Sequence, residues 1–129
     1  MMNIYEQNLY DSIKKMIHMN NIDYSELKKY TNDNKLKILV LAIQWACQSQ
    51  TYAAIEAGRK VFSYFEEDWL KEYFVSASMN AIDINDEWEA RRILELTKER
   101  IPSLIEEVLN YVKVSENTEK DELVEDFGN

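Results

Sequence analysis

The stretch LKILVLAIQWAC, residues 36–47, decides the fold, because it is apolar on nearly every side of the helix that it predicts. A helix without a polar face is stable in water only when other elements cover it all round. We therefore predict a helix over about residues 35–48 and place it at the centre of the domain, with the remaining helices packed around it.

Helices are predicted on both sides of this central helix from apolar residues that recur at three- and four-residue spacing. Their approximate ranges are 3–18, 23–30, 51–65, 68–80, 86–100 and a segment that begins at Pro102. No segment shows the strict alternation of a half-buried strand. The fold class is therefore all-α, with seven to eight antiparallel helices that form either a stack of helical hairpins or an irregular bundle.

Gly58 is an unusual residue for the middle of the predicted helix 51–65, where it lies on the same face as Ala54 and Ala57. Glycine inside a helix costs about 1 kcal/mol relative to alanine. We expect this cost to be offset by close approach of a neighbouring helix, which only a residue without a side chain permits.

The length of 129 residues fits one domain. We assign residues 1–113 to the helical domain. Residues 114–129 are acidic and leave two alternatives, a short helix that uses Leu123 and Phe127 or a frayed tail.

Charge is unevenly distributed along the chain. The net charge is -9, of which residues 1–48 carry +1 and residues 49–129 carry -10. An acidic surface repels nucleic acid and anionic membranes, and it attracts basic proteins. Solubility alone is the simpler alternative explanation.

The sequence lacks the usual combinations of catalytic and metal-binding residues. Cys47 and His18 are the single cysteine and histidine, and neither glycine belongs to a phosphate-binding loop. Cys47 is predicted to be an inert core thiol. The acidic pairs at residues 66–67 and 106–107 lack a third acid at the spacing of helical nucleotide pyrophosphatases. We predict no catalytic residue, metal or cofactor, with a divergent metal-dependent hydrolase as the least favoured alternative.

Trp88 lies on an unexpected side of its predicted helix, within NDEWEARRILEL, residues 85–96. At about 100° per residue, it points away from the apolar stripe and towards Arg91 and Arg92. It either folds back onto the preceding hairpin, as aromatic residues in first turns do, or stands exposed as a binding anchor. The two arginines are expected to pair along the helix with Glu87, Glu95 or Glu99.

A second mixture of aromatic and acidic residues occurs in SYFEEDWLKEYF, residues 63–74. Aromatic rings with carboxylates between them can hold arginine and lysine side chains. The alternative to partner binding is a place in the core for Trp69 and simple solvation for the acids. The candidate partner-binding residues of both segments are Tyr64, Glu66, Glu67, Asp68, Trp69, Tyr73, Asp86, Glu87, Trp88 and Glu89.

TYAAIEAGRKVFSYF, residues 51–65, resembles the second helix of a tetratricopeptide or HEAT-type repeat. DEWEARRILEL and PSLIEEVLNYV resemble the HEAT-type hairpin that follows. The resemblance covers roughly residues 35–113 and implies a small right-handed stack of helical hairpins, a shape used to bind proteins or peptides.

In shape and charge the chain also resembles small acidic bacterial immunity proteins, which block a toxin. This resemblance implies a non-enzymatic cytoplasmic inhibitor that occludes the active site of a basic partner, such as a toxin or nucleic-acid-binding protein. The alternative is a helical adaptor or regulatory subunit, including a phage-borne one. The sequence does not indicate an oligomeric state.

Overall fold

A computed structural model describes residues 1–128, and over these residues the protein is a single all-helical domain without strands. Seven α-helices and two short 3₁₀ helices are joined by brief turns. The α-helices are α1 (Ile4–Ile17), α2 (Asn32–Gln48), α3 (Tyr52–Phe62), α4 (Glu67–Ala81), α5 (Glu87–Arg100), α6 (Ile105–Val114) and α7 (Lys120–Phe127), and the 3₁₀ helices span Tyr24–Lys29 and Pro102–Leu104.

Helix α2 is the central element, as its apolar sequence predicts. It packs against α1, α3, α4 and α5, and six of its residues are buried. It starts earlier than expected because Thr31 caps it: the Thr31 hydroxyl accepts a hydrogen bond from the Asn34 backbone N–H at 3.2 Å. Helices α1, α3, α4 and α5 are thereby arranged around α2, while α6 and α7 pack against α5 and against each other.

Gly58 marks a close contact between α3 and α2. A Cβ atom built on Gly58 would lie 2.6 Å from the backbone nitrogen of Ala46 and 2.7 Å from the backbone oxygen of Ala42. No real Cβ approaches backbone atoms that closely, so the predicted reason for this glycine is confirmed. Helix α3 can lie directly on α2 because position 58 has no side chain.

Helix α3 ends at Phe62, earlier than the predicted Phe65. After Phe62 the backbone tightens, with Tyr64 N–H donating to the Val61 oxygen and Phe65 N–H donating to the Phe62 oxygen. This turn directs Phe65 towards α4. The short helix predicted over about residues 23–30 is present as a 3₁₀ helix over Tyr24–Lys29.

Helix α7 packs on α5 and α6 and buries Leu123 completely. Of the two alternatives for the C-terminal segment, a short helix or a frayed tail, the structure contains the helix. Arg91 of α5 holds it, with Nη1 3.1 Å from Asp126 Oδ2 and the guanidinium 5.7 Å from the Phe127 ring. The expected pairing of Arg91 within its own helix is therefore wrong, because α7 brings carboxylates closer. Asn129, the last residue of that segment, lies outside the described residues.

Among residues 1–128, no helix combines the length and the apolar character that crossing a bilayer requires.

Candidate partner-binding site

Trp88 stands at the start of α5 with 64% of its surface exposed. Helix α5 begins here because Asp86 caps it, its carboxylate accepting from the Glu89 backbone N–H at 3.0 Å. The first turn thus holds Trp88 on the solvent side. The alternative in which the ring folds back onto the preceding hairpin does not occur.

A cleft of about 300 Å³ lies beside Trp88, where the end of α2 and the α2–α3 turn meet the start of α5. The residues that line it are Cys47, Gln48, Gln50, Asp86, Trp88, Glu89 and Arg92. Three carboxylates stand at or next to this opening, since Glu87 precedes Trp88. With Arg92 as the single cation, the local formal charge is negative.

Arg92 fixes this corner of the molecule. Its Nη1 donates to the backbone oxygen of Ser49, and it lies 3.5 Å from the backbone oxygen of Cys47. Helix α2 has no basic residue in its last turn, so Arg92 supplies the positive charge that the carbonyl end of a helix favours. The expected pairing of Arg92 with acids of its own helix is wrong, because these carbonyls occupy its donors.

Arg92 also supports Trp88. Its guanidinium lies 5.6 Å from the centre of the Trp88 ring, within the range of a cation–π contact. One face of the indole is therefore occupied from inside the chain. The exposed remainder is held in a defined orientation.

Two carboxylates of this corner, Glu89 and the α5 cap Asp86, hold the fold together, and Glu87 makes no such contact. Glu89 is half-buried and accepts from Gln48 Nε2 at 2.8 Å and from the Asp83 backbone N–H at 3.1 Å. It thereby ties α2 to the α4–α5 turn. Asp86 and Glu87 are exposed, and Glu87 has no ion pair with any residue that the structure describes.

Cys47 lines the floor of the cleft but is only 1% exposed. Burial raises the pKa of its thiol to about 12. At neutral pH almost no thiolate is present, and the thiolate is the nucleophilic form. The cleft therefore offers a surface for contact rather than a reactive sulfur.

The second candidate segment lies at the α3–α4 corner, and its aromatic residues are used inside the fold. Trp69 is half-buried between Phe65 and Tyr73, with ring centroids 5.2 Å and 4.8 Å away. Its indole Nε1 donates to the Asn32 side-chain oxygen at 2.9 Å, and the Lys35 ammonium lies 5.0 Å from the ring centre. Core packing, the alternative for Trp69, accounts for these contacts.

The two tyrosines of the same corner are also engaged. Tyr73 accepts a hydrogen bond from Asn32 Nδ2 at 2.7 Å, and Tyr64 stacks on Tyr24 with ring centroids 5.1 Å apart. Both contacts connect residues that are far apart in sequence. Both tyrosines therefore take part in tertiary contacts of the fold, although Tyr64 is still 41% exposed.

The acids of this corner lie in and just before the first turn of α4, where Glu66, Glu67 and Asp68 are all exposed. Carboxylates at this end of a helix are favoured by the helix dipole. The 15 residues of α4 separate them from the Trp88 corner by about 22 Å. The structure therefore does not bring the two predicted groups together into one surface.

The positions of Gln48 and Gln50 in the lining of this cleft, and the contacts of Arg92, were not predicted from the sequence. Gln48 and Gln50 follow the central helix and are roughly forty residues from Trp88, and nothing in their local pattern links them to it. For Arg92 a signal existed, because the last turn of α2 lacks a basic residue and a helix end favours one.

Comparison of the chain with models of protein families, with curated proteins and with solved structures finds no match. Within residues 1–128, no three histidine, cysteine, aspartate or glutamate side chains lie close enough together to hold a metal ion.

Proposed function

We propose that this protein is a non-enzymatic binding protein that docks on a basic protein through the Trp88 corner and blocks the active site of that partner. This is the mode of action that the resemblance to immunity proteins implies. The resemblance also implies that the protein acts in the cytoplasm. The observation that carries the proposal is the exposure of Trp88 next to the exposed carboxylates of Asp86 and Glu87.

An exposed tryptophan is a large source of binding energy. A tryptophan side chain offers on the order of 200 Å² of surface, and burying apolar area stabilises a complex by about 25 cal/mol per Å². Covering the 64% of Trp88 that is exposed would therefore contribute about 3 kcal/mol before ordering costs. That magnitude is typical of a residue that dominates an interface.

The contacts of Arg92 support the same proposal. Because Arg92 is bound to the end of α2 and stacks on Trp88, the indole is oriented before a partner arrives. Binding then costs less side-chain entropy than it would for a free tryptophan. The free face and edge of the ring are the surfaces that a partner would contact.

Charge determines what kind of partner fits. Asp86 and Glu87 can each accept charge-assisted hydrogen bonds from lysine or arginine of the partner. In a nuclease or another nucleic-acid-binding protein, those cations would normally hold phosphate. In this proposal the carboxylates take the place of phosphate, which is how the partner is inhibited.

The experiment uses the wild-type protein, Trp88→Ala and Tyr111→Ala as baits in an extract of the source cells, with mass spectrometry of the retained proteins. Tyr111 is the control because it is an exposed aromatic residue, 46% accessible, on α6. We expect a basic protein that wild type and Tyr111→Ala retain and that Trp88→Ala loses. If Trp88→Ala retains every protein that wild type does, the proposed docking site is wrong.

The partner so identified is then assayed for activity with and without the protein. Inhibition that Glu87→Lys weakens, and that its control Glu107→Lys leaves unchanged, supports occlusion by carboxylates. We expect Glu87→Lys to slow association at least tenfold at low salt, and we expect the difference to shrink as salt is added. Binding without inhibition would instead identify an adaptor or regulatory subunit.

A further inference from the structure

Outside the Trp88 corner, Arg59 is unusual because its hydrogen-bonding groups are poorly paired. Its side chain is 21% exposed, and its Nε is buried without a hydrogen-bond partner among residues 1–128. The only ion pair found for it is loose, with Nη1 3.6 Å from Glu56 Oε1, which exceeds hydrogen-bond length. A guanidinium stays charged at any physiological pH, so a buried donor of this kind is costly unless something accepts from it.

Arg59 lines a cleft of about 330 Å³ that lies between the start of α1, helix α3 and the end of α5. Two further cations line the same cleft, Lys60 from α3 and Arg100 from α5. Two carboxylates, Glu6 and Glu56, are also present, so the lining carries one positive charge in excess. This is the opposite sign to the chain as a whole, whose net charge is -9.

The two carboxylates differ in how firmly they are paired. Glu6 is committed to Lys60, with Oε2 2.7 Å from Nζ, and this hydrogen bond lowers the pKa of Glu6. Glu56 is held only by its long contact with Arg59, and its side chain is 46% exposed. Glu56 can therefore turn into solvent when a stronger acceptor reaches Arg59.

We propose that this cleft binds a small oxyanion, a phosphate or carboxylate group, through the two Nη groups of Arg59, whose side chain is 21% exposed although its Nε is buried, with Arg100 as the second cation. The planar fork of arginine matches two oxygens of such a group at once, which a lysine cannot do. The position of the cleft, beside α1 and α3, makes this site separate from the Trp88 corner.

The test is a titration of the ¹⁵N-labelled full chain with sodium phosphate, with sodium chloride holding the ionic strength constant. We expect the Arg59 Nε–Hε resonance and the backbone amide resonances of Lys60 and Ser63, which line the cleft, to shift and saturate, and the two amides report binding in the Arg59 variants. Arg59→Gln should abolish saturable binding, while Arg91→Gln, which alters an arginine already paired with Asp126, should bind as wild type does. No saturating shift, or equal binding by Arg59→Gln, would overturn the proposal.

Two further variants keep the test decisive. Arg59→Lys retains the charge without the fork and should weaken phosphate binding at least tenfold, and Arg100→Gln, an exposed position, should weaken it several-fold. Equal affinity in both would count against the site even if Arg59→Gln did not fold. Repeating the titration with acetate distinguishes the source, because tighter binding of acetate than of phosphate indicates a carboxylate ligand, and tighter binding of phosphate indicates a phosphoryl group.

Discussion

The α3–α4 corner and the Trp88 corner, at the start of α5, contain the same kinds of residue, a tryptophan at the start of a helix among several carboxylates. The fold nevertheless places the two tryptophans in opposite environments. Trp69 is stacked between two rings and donates to Asn32. Trp88 is 64% exposed and touches Arg92 on one face. One tryptophan is packed within the domain, and the other lies mostly in solvent.

The difference arises from residues that are distant in sequence. Asn32 and Lys35, at the start of α2, reach Trp69 and provide both a hydrogen-bond acceptor and a cation. At the other end of α2 the chain provides Gln48 and backbone carbonyls, which engage Glu89 and Arg92 and leave Trp88 outside. An aromatic residue among acids is therefore ambiguous until its tertiary neighbours are known.

The largest effect should come from Gly58→Ala, because it damages the α2–α3 contact on which both corners rest. The added Cβ would meet backbone atoms of α2 at 2.6 Å and 2.7 Å, and backbone cannot rotate away as a side chain can. We expect a loss of about 3 kcal/mol in the free energy of unfolding, measured by urea denaturation. A loss below about 1 kcal/mol would show that α3 is not seated on α2 in this way.

Trp69→Ala should cause the next largest loss in the free energy of unfolding, about 2–3 kcal/mol, because it removes a half-buried ring that packs between Phe65 and Tyr73. It also leaves the Asn32 side chain without a donor. The same urea experiment measures it, with Trp88→Ala as the partner variant. If the two tryptophans cost the same, the distinction between the corners fails.

Arg92→Met should lower the free energy of unfolding, measured by urea denaturation, by about 1–2 kcal/mol, because the carbonyls at the end of α2 lose a charged donor. It should also free the Trp88 ring, which a change in the indole N–H resonance would reveal. Arg100→Met, at the far end of the same helix, is the control and should change stability by less than about 0.5 kcal/mol. Equal losses in both variants would mean that Arg92 does not cap α2.

Trp88→Ala should have the smallest effect on folding, within about 0.5 kcal/mol, because its side chain is mostly in water already. Thermal unfolding of wild type and variant at equal concentration checks this. A drop in melting temperature as large as that of Trp69→Ala would mean that Trp88 is packed in solution, and the proposed docking site would lose its anchor.

Much of the fold follows from local pattern. Apolar spacing is enough to locate α1 to α6 to within a few residues, whereas α7 is one of two alternatives, and the apolar stretch of α2 predicts its central position. Gly58 even indicates a helix crossing, because its cost requires a reason. The ends are less predictable: Thr51 precedes α3 but makes no side-chain cap, and the turn after Phe62 depends on how Phe65 packs against Trp69.

The site is harder to predict than the fold. Helical projection correctly directs Trp88 away from the buried stripe, but it cannot say whether another element covers it. The same projection gives the wrong partners for Arg91 and Arg92, since it sees only acids of the same helix. Their actual partners, Asp126 and the end of α2, come from elements brought together by folding.

The capping of α5 by Asp86 leaves the next two side chains, Glu87 and Trp88, exposed, and of the two Trp88 contacts the domain through Arg92. Changes at these two positions are therefore nearly free of structural consequence. A library randomised there would consist mostly of folded molecules, so, under the proposed function, selection in nature or display in the laboratory could change the partner that binds here without rebuilding the scaffold.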